Sequence, residues 1–221
     1  MTYFNHLLKV VIICIPKTGS TTLTDRLGLD GFVIDRRIYR QIKTRKNRLE
    51  RNYYHLTFQE LLRINQSYQS YTVVCVTRNP YDRLYSAFLE FRKRYNPSAT
   101  FDQYFRDILV LKKYNSDARL IHGRPMVEFV FSNIGRTSMT RPRSMFVLRQ
   151  ESFEDDFGAV CSYLGLACDV KTDANISGDT IPTTHKYVSL MTPEQLSAIE
   201  TFYRLDFVSF NYKTHDGRRL S

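Results

Sequence analysis

Six apolar residues stand unbroken from Val10 to Ile15, and Val73, Val74, Cys75 and Val76 form a second such run inside 71–77. β-Branched runs without polar alternation are the pattern of strands buried on both faces, as in the middle of a parallel sheet. Ser144 to Leu148 predicts a further strand, and Gly31-Phe32-Val33-Ile34 a short one. Helix starts fall between them. Thr57-Phe58-Gln59-Glu60 has the capping-box pattern and opens a helix through Leu62 and Ile64. Pro80 suits the first turn of another helix; Thr100 with Gln103, and Thr192 with Pro193 and Gln195, open two more. Strands separated by helices predict an α/β fold, a parallel β-sheet with helices on both faces, and place ligands beyond the carboxyl ends of the strands.

Composition narrows the picture. With 221 residues, 43% of them apolar and 14% aromatic, the chain has enough material for a sizeable core. No repeat or low-complexity linker divides it, so a single domain over 1–221 is expected. The N-terminal apolar run, about nine residues, is too short to span a bilayer and already serves as a strand. No signal peptide or membrane anchor is therefore expected, and a cytoplasmic or otherwise soluble protein is. Cys14 and Cys75 fall inside predicted core strands and read as small apolar residues; Cys161 and Cys168 flank the end of a predicted helix. This usage fits a reducing compartment and leaves a Cys161–Cys168 disulfide open. No Cys or His spacing matches a metal site.

The candidate chemistry begins where the first strand ends, at Pro16-Lys17-Thr18-Gly19-Ser20-Thr21-Thr22. A small-residue loop running into a helix presents backbone N–H groups, and helix N-termini carry partial positive charge. A phosphate or sulfate is expected over Gly19 to Thr22, with Lys17 as a movable point charge. The loop is not a Walker A sequence, because lysine comes two places before the only glycine. A strand-to-helix turn of the same build follows in Thr77-Arg78-Asn79-Pro80-Tyr81-Asp82-Arg83-Leu84-Tyr85-Ser86, where Arg78 stands at the strand's end and Ser86 two helical turns further on.

These two segments together resemble the sulfotransferases that use 3'-phosphoadenosine 5'-phosphosulfate (PAPS). The first is similar to their 5'-phosphosulfate loop and the second, from Arg78 to Ser86, to their 3'-phosphate motif. The nearer resemblance is to the carbohydrate branch, with its heparan sulfate and chondroitin enzymes and bacterial relatives. Arg149-Gln150-Glu151, followed by an acidic helix start, is similar to a further strand-to-helix element of that family. The resemblance covers most of the chain. It implies a P-loop-like fold, PAPS as donor without a metal, and a hydroxyl acceptor, most readily a carbohydrate. It also implies donor contacts from Lys17, Thr18, Gly19, Ser20, Thr21, Thr22, Arg78 and Ser86. The segment Pro182-Thr183-Thr184-His185-Lys186-Tyr187-Val188-Ser189 resembles, with altered spacing, the loop that closes over the nucleotide, and adds His185 and Lys186.

Sulfuryl transfer to a hydroxyl needs a base near the acceptor oxygen and a cation at the leaving oxygen. Lys17 fits the second role. His55, 23 residues before Arg78, resembles a histidine that precedes the 3'-phosphate motif in carbohydrate sulfotransferases, and imidazole accepts a proton near neutrality. His122, His185 and Glu60 are rivals, though a capping box accounts for Glu60 without chemistry. The formal net charge of +10 is concentrated in Arg36 to Arg51, where eight of sixteen residues are Lys or Arg. Such a run is either a solvated face or a surface for a polyanion, and an anionic polysaccharide is expected rather than nucleic acid. Two other readings stand beside the sulfotransferase. One is a P-loop phosphotransferase, which the residue order of the loop disfavours; the other is a non-catalytic polyanion-binding module, which leaves both anion loops unexplained.

Overall fold

The structure, a computed structural model, describes residues 2–28, 31–35, 38, 55–133, 139–166 and 186–221. One sheet holds four strands in the order β1 (Tyr3–Asn5), β2 (Val10–Ile12), β3 (Thr72–Thr77) and β4 (Ser144–Arg149). The helices are α1 (Ser20–Arg26), α2 (Phe58–Ile64), α3 (Pro80–Arg94), α4 (Phe101–Phe105), α5 (Val127–Val130), α6 (Phe153–Leu164), α7 (Pro193–Phe202) and α8 (Arg204–Ser209). β2, β3 and β4 are parallel, with Val11 opposite Val73 and Val73 opposite Met145. β1 turns back antiparallel along β2. This mixed, parallel-dominated sheet with helices around it is the expected α/β architecture. The segment expected as a short strand at 31–34 is reduced to one antiparallel bridge between Val33 and Phe4, closed by 2.9 and 2.8 Å backbone hydrogen bonds.

Backbone packing groups the chain into two compact units, Met1–Thr77 with Glu128–Thr180, and Arg78–Val127 with Ile181–Ser221. The first unit holds the sheet. Every residue of β2 and β3 is buried, which is why neither strand alternates. On one face Val10, Ile12, Val74 and Val76 pack with Leu23 of α1 and Phe157, Val160 and Leu164 of α6; Val11, Ile13, Val73 and Cys75 are equally buried. Arg26 donates two hydrogen bonds, 2.7 and 3.1 Å, to the Glu154 carboxylate and lies 4.7 Å above the Phe157 ring, so the end of α1 is fixed to the start of α6.

Among the described residues the second unit has no strand of the sheet, and it is built on aromatic side chains. Phe88 of α3 meets Phe101 and Tyr104 of α4 at centroid distances of 5.5 and 5.9 Å, and Tyr81 meets Phe207 of α8 at 5.2 Å. After α4 the backbone widens into a π turn over Arg106–Val110. Asp206, fully buried, accepts hydrogen bonds from the backbone N–H groups of Met126 and Val127, both at 2.8 Å. Tyr81 donates to Glu200, and His215 Nδ1 lies 3.0 Å from the same carboxylate, which pins the C-terminal turn to α3 and α7.

Candidate active site

The loop between β2 and α1 is shaped by two left-handed residues, Lys17 with φ 65° and Gly19 with φ 87°. A lysine in that region is uncommon and costs about 1 kcal/mol or more relative to glycine. Thr18 and Ser20 hold the turn from within, both donating their hydroxyls to the Ile15 carbonyl at 2.9 and 3.2 Å. Thr18 is fully buried, so its side chain faces the interior and not the space over the loop. Thr21 and Thr22 are exposed. Four helix starts are closed by a side chain, with complete capping boxes at α2, α4 and α7 and Asn79 Oδ1 capping α3, whereas α6 and α8 have no side-chain cap but carry acids in their first turns. α1 opens on Gly19 with no side-chain cap and no acid in its first turn, so no carboxylate of that turn competes for its N–H groups. The Gln150 side chain lies against Gly19, its Cγ 3.5 Å from where a Cβ would stand, and its Oε1 is buried without a partner among the described residues. An anion held by backbone donors fits this loop.

His55 is brought to the base of the same loop. Its Nδ1 lies 2.9 Å from the Cys14 carbonyl, and its ring edge meets Phe129 at 6.5 Å. A carbonyl only accepts, so Nδ1 carries the proton and the lone pair of the neutral ring sits on Nε2. That is the tautomer a general base needs. Glu60 is used up as expected, accepting from Thr57 N–H at 2.9 Å while its own N–H donates to Thr57 Oγ1 at 3.1 Å.

In the second unit Arg78 and Asn79 precede α3, and Ser86 lies half-buried along it. Arg83, eight residues before Phe91 on the same helix, is 1% exposed, and its Nη2 donates to the carbonyls of His122 at 3.1 Å and Arg124 at 2.7 Å. Tyr203 donates to the Gly123 carbonyl between them at 2.5 Å. His122 thus enters the fold through its backbone. Burial lowers the Arg83 guanidinium from its ordinary value and raises the Tyr104 and Tyr203 phenols around it. Asp82 accepts from the backbone N–H groups of Lys186 at 3.1 Å and Tyr187 at 2.9 Å, contacts no local pattern announces. His185 and the basic run Arg36 to Arg51 lie outside the described residues.

Cys14 and Cys75 are free and buried, and burial pushes the Cys75 thiol up to about 12. Cys161 is disulfide-bonded; Cys168 lies outside the described residues. Disulfides persist in oxidising surroundings, so the cysteines as a set no longer argue for a reducing compartment. Among the described residues no helix is long and apolar enough to cross a membrane, and no group of three or more His, Cys, Asp or Glu is placed to hold a metal ion.

The described residues form an α/β protein with a parallel-dominated sheet whose second strand leads into a glycine-turned loop without a side-chain cap. The model of the sulfotransferase family matches residues 2–213, and the chain belongs to that family. It is accordingly a transferase of sulfuryl groups, in a family that generally draws them from PAPS. No curated protein and no solved structure matches the chain.

Proposed function

We propose that the chain, acting as one sulfotransferase domain, moves the sulfuryl group of PAPS to a hydroxyl of a carbohydrate acceptor. The observation that carries this reading is the hydrogen bond from His55 Nδ1 to the Cys14 carbonyl, three residues before Lys17, which sets a base tautomer beside the anion loop. His55 Nε2 takes the proton of the acceptor hydroxyl as its oxygen attacks sulfur. The bond from sulfur to the 5'-phosphate oxygen breaks, and Lys17 Nζ offsets the charge left on that oxygen. The backbone of Thr18 to Thr22, with the Thr21 and Thr22 hydroxyls, holds the 5' end, and Arg78 and Ser86 hold the 3'-phosphate. His185 and Lys186 are assigned to the nucleotide as well. The basic run from Arg36 to Arg51 suits an anionic polysaccharide as acceptor.

Transfer of labelled sulfate from PAPS to a panel of neutral and anionic glycans tests the reading. Lys17→Ala should lose turnover and also weaken 3',5'-adenosine bisphosphate, whereas His55→Ala should lose about a hundredfold or more in kcat with bisphosphate affinity retained. Near-normal turnover in His55→Ala moves the base to another residue. Magnesium-dependent ATP binding, with indifference to the bisphosphate, overturns the donor assignment in favour of a phosphotransferase.

A further inference from the structure

An acid inside a phosphate-binding motif needs an explanation, because a carboxylate repels the ligand. Asp82 stands in the first turn of α3, four residues after Arg78 and four before Ser86, and is only 8% exposed. Both of its oxygens are engaged by chain far away in sequence. Oδ2 accepts from Lys186 N–H at 3.1 Å and Oδ1 from Tyr187 N–H at 2.9 Å, 104 and 105 residues on. Two amide donors on one carboxylate are charge-assisted bonds and spread its charge into the backbone. One turn along the helix, Tyr85 stacks on Tyr187 with centroids 4.7 Å apart and planes at 21°. The Lys186 ammonium in turn lies 5.6 Å from the Tyr187 ring centre.

Residues three and four apart share one helix face, so Asp82, Tyr85 and Ser86 lie on the same side of α3. The Lys186–Tyr187 segment is therefore fastened along the face that carries Ser86. We infer that Asp82 and Tyr85 are positioning residues for the 3'-phosphate end of the donor. They hold the backbone at 186 and 187 so that the exposed Lys186 ammonium, steadied over Tyr187, adds its charge beside Arg78 and Ser86. The inference rests on the sulfuryl-transfer reading for the identity of the ligand, but the tether itself does not. Asp82 contributes no direct ligand contact; its two oxygens are taken up by the two amides.

The test uses the full chain and two readouts. Hydrogen exchange of the Lys186 and Tyr187 amides, measured without nucleotide, should quicken by about tenfold or more in Asp82→Ala, and Asp82→Asn should quicken it less, since an amide side chain keeps one acceptor. Titration with 3',5'-adenosine bisphosphate should show about a tenfold weaker Kd for Lys186→Ala and for Asp82→Ala, with the double variant no worse than Lys186→Ala alone. Tyr85→Leu, which leaves the carboxylate in place, should weaken the bisphosphate in the same direction if Asp82→Ala fails to fold. Unchanged exchange at 186 and 187 overturns the tether. Additive losses in the double variant, or bisphosphate affinity indifferent to Asp82 in a folded protein, overturn the positioning role. If wild type does not bind the bisphosphate, the donor assignment falls, and the exchange data still decide the tether.

Discussion

Arg83 is the largest fully buried side chain among the described residues, and its work is structural although it sits inside the motif that follows Arg78. Its guanidinium serves the carbonyls of His122 and Arg124, and removing a buried donor costs about 1–3 kcal/mol for each acceptor it leaves. Arg83→Met keeps the volume and the burial, so it should destabilise by about 2–4 kcal/mol in a denaturant melt, while bisphosphate affinity below the transition stays near wild type. A lost affinity with normal stability would make Arg83 a ligand residue instead. Sequence singled out Arg78 by its place at the strand's end and gave Arg83 no role; the burial that makes Arg83 structural shows only in the fold. Nor could sequence reveal Asp82, whose partners lie 104 and 105 residues away. Lys17 and His55 were named as candidates from sequence, the first from the loop it occupies and the second from its place ahead of Arg78. The tautomer of His55 was not, since it depends on the Cys14 carbonyl being within 2.9 Å.

At the level of elements, the starts of helices were read correctly wherever a side chain closes them. The three capping boxes at Thr57, Thr100 and Thr192, and the proline-led start at Pro80, carry their geometry in four adjacent residues. β1 was invisible for the opposite reason: three residues give no period, and only pairing with β2 makes them a strand. The π turn after α4 likewise leaves no local signature. The loop before α1 lies between these cases, because its glycine was evident but the left-handed lysine was not. That pair gives opposite predictions. Gly19→Ala puts a Cβ on a residue with φ 87° and should destabilise by about 1–2 kcal/mol. Lys17→Gly relieves the same strain at φ 65° and should match or exceed wild type in Tm while losing turnover. Thermal melts beside single-turnover assays check both. A Lys17→Gly protein much less stable than wild type would show that the lysine supports the loop rather than being held by it.

Across the whole molecule, the central sheet was legible because strands buried on both faces must be apolar throughout, and that same burial sets the pH range in which the fold holds. Cys75 lies in β3 with its thiol pushed from an ordinary 9.0 up to about 12 by burial, and Cys14 is raised for the same reason. Burial also raises the phenols of Tyr81, Tyr104 and Tyr203 in the second unit. The sign follows from linkage. In each case the folded value lies above the unfolded one, so the unfolded chain gives up its proton first as pH rises. The stabilisation is complete below the unfolded value and drains away up to the folded one, which for Cys75 means between 9.0 and about 12. Each such group costs about 1.4 kcal/mol of stability per pH unit across its window. Urea midpoints should therefore hold steady from neutral pH to about pH 9 and then fall steeply, with the tyrosines steepening the loss above about pH 10. Cys75→Ala removes one of these groups and leaves a small void, so its curve should start lower at neutral pH and then decline less steeply than wild type. Parallel curves for the two proteins would mean that the Cys75 thiol ionises no later in the fold than in the unfolded chain, and the burial of β3 would have to be reconsidered.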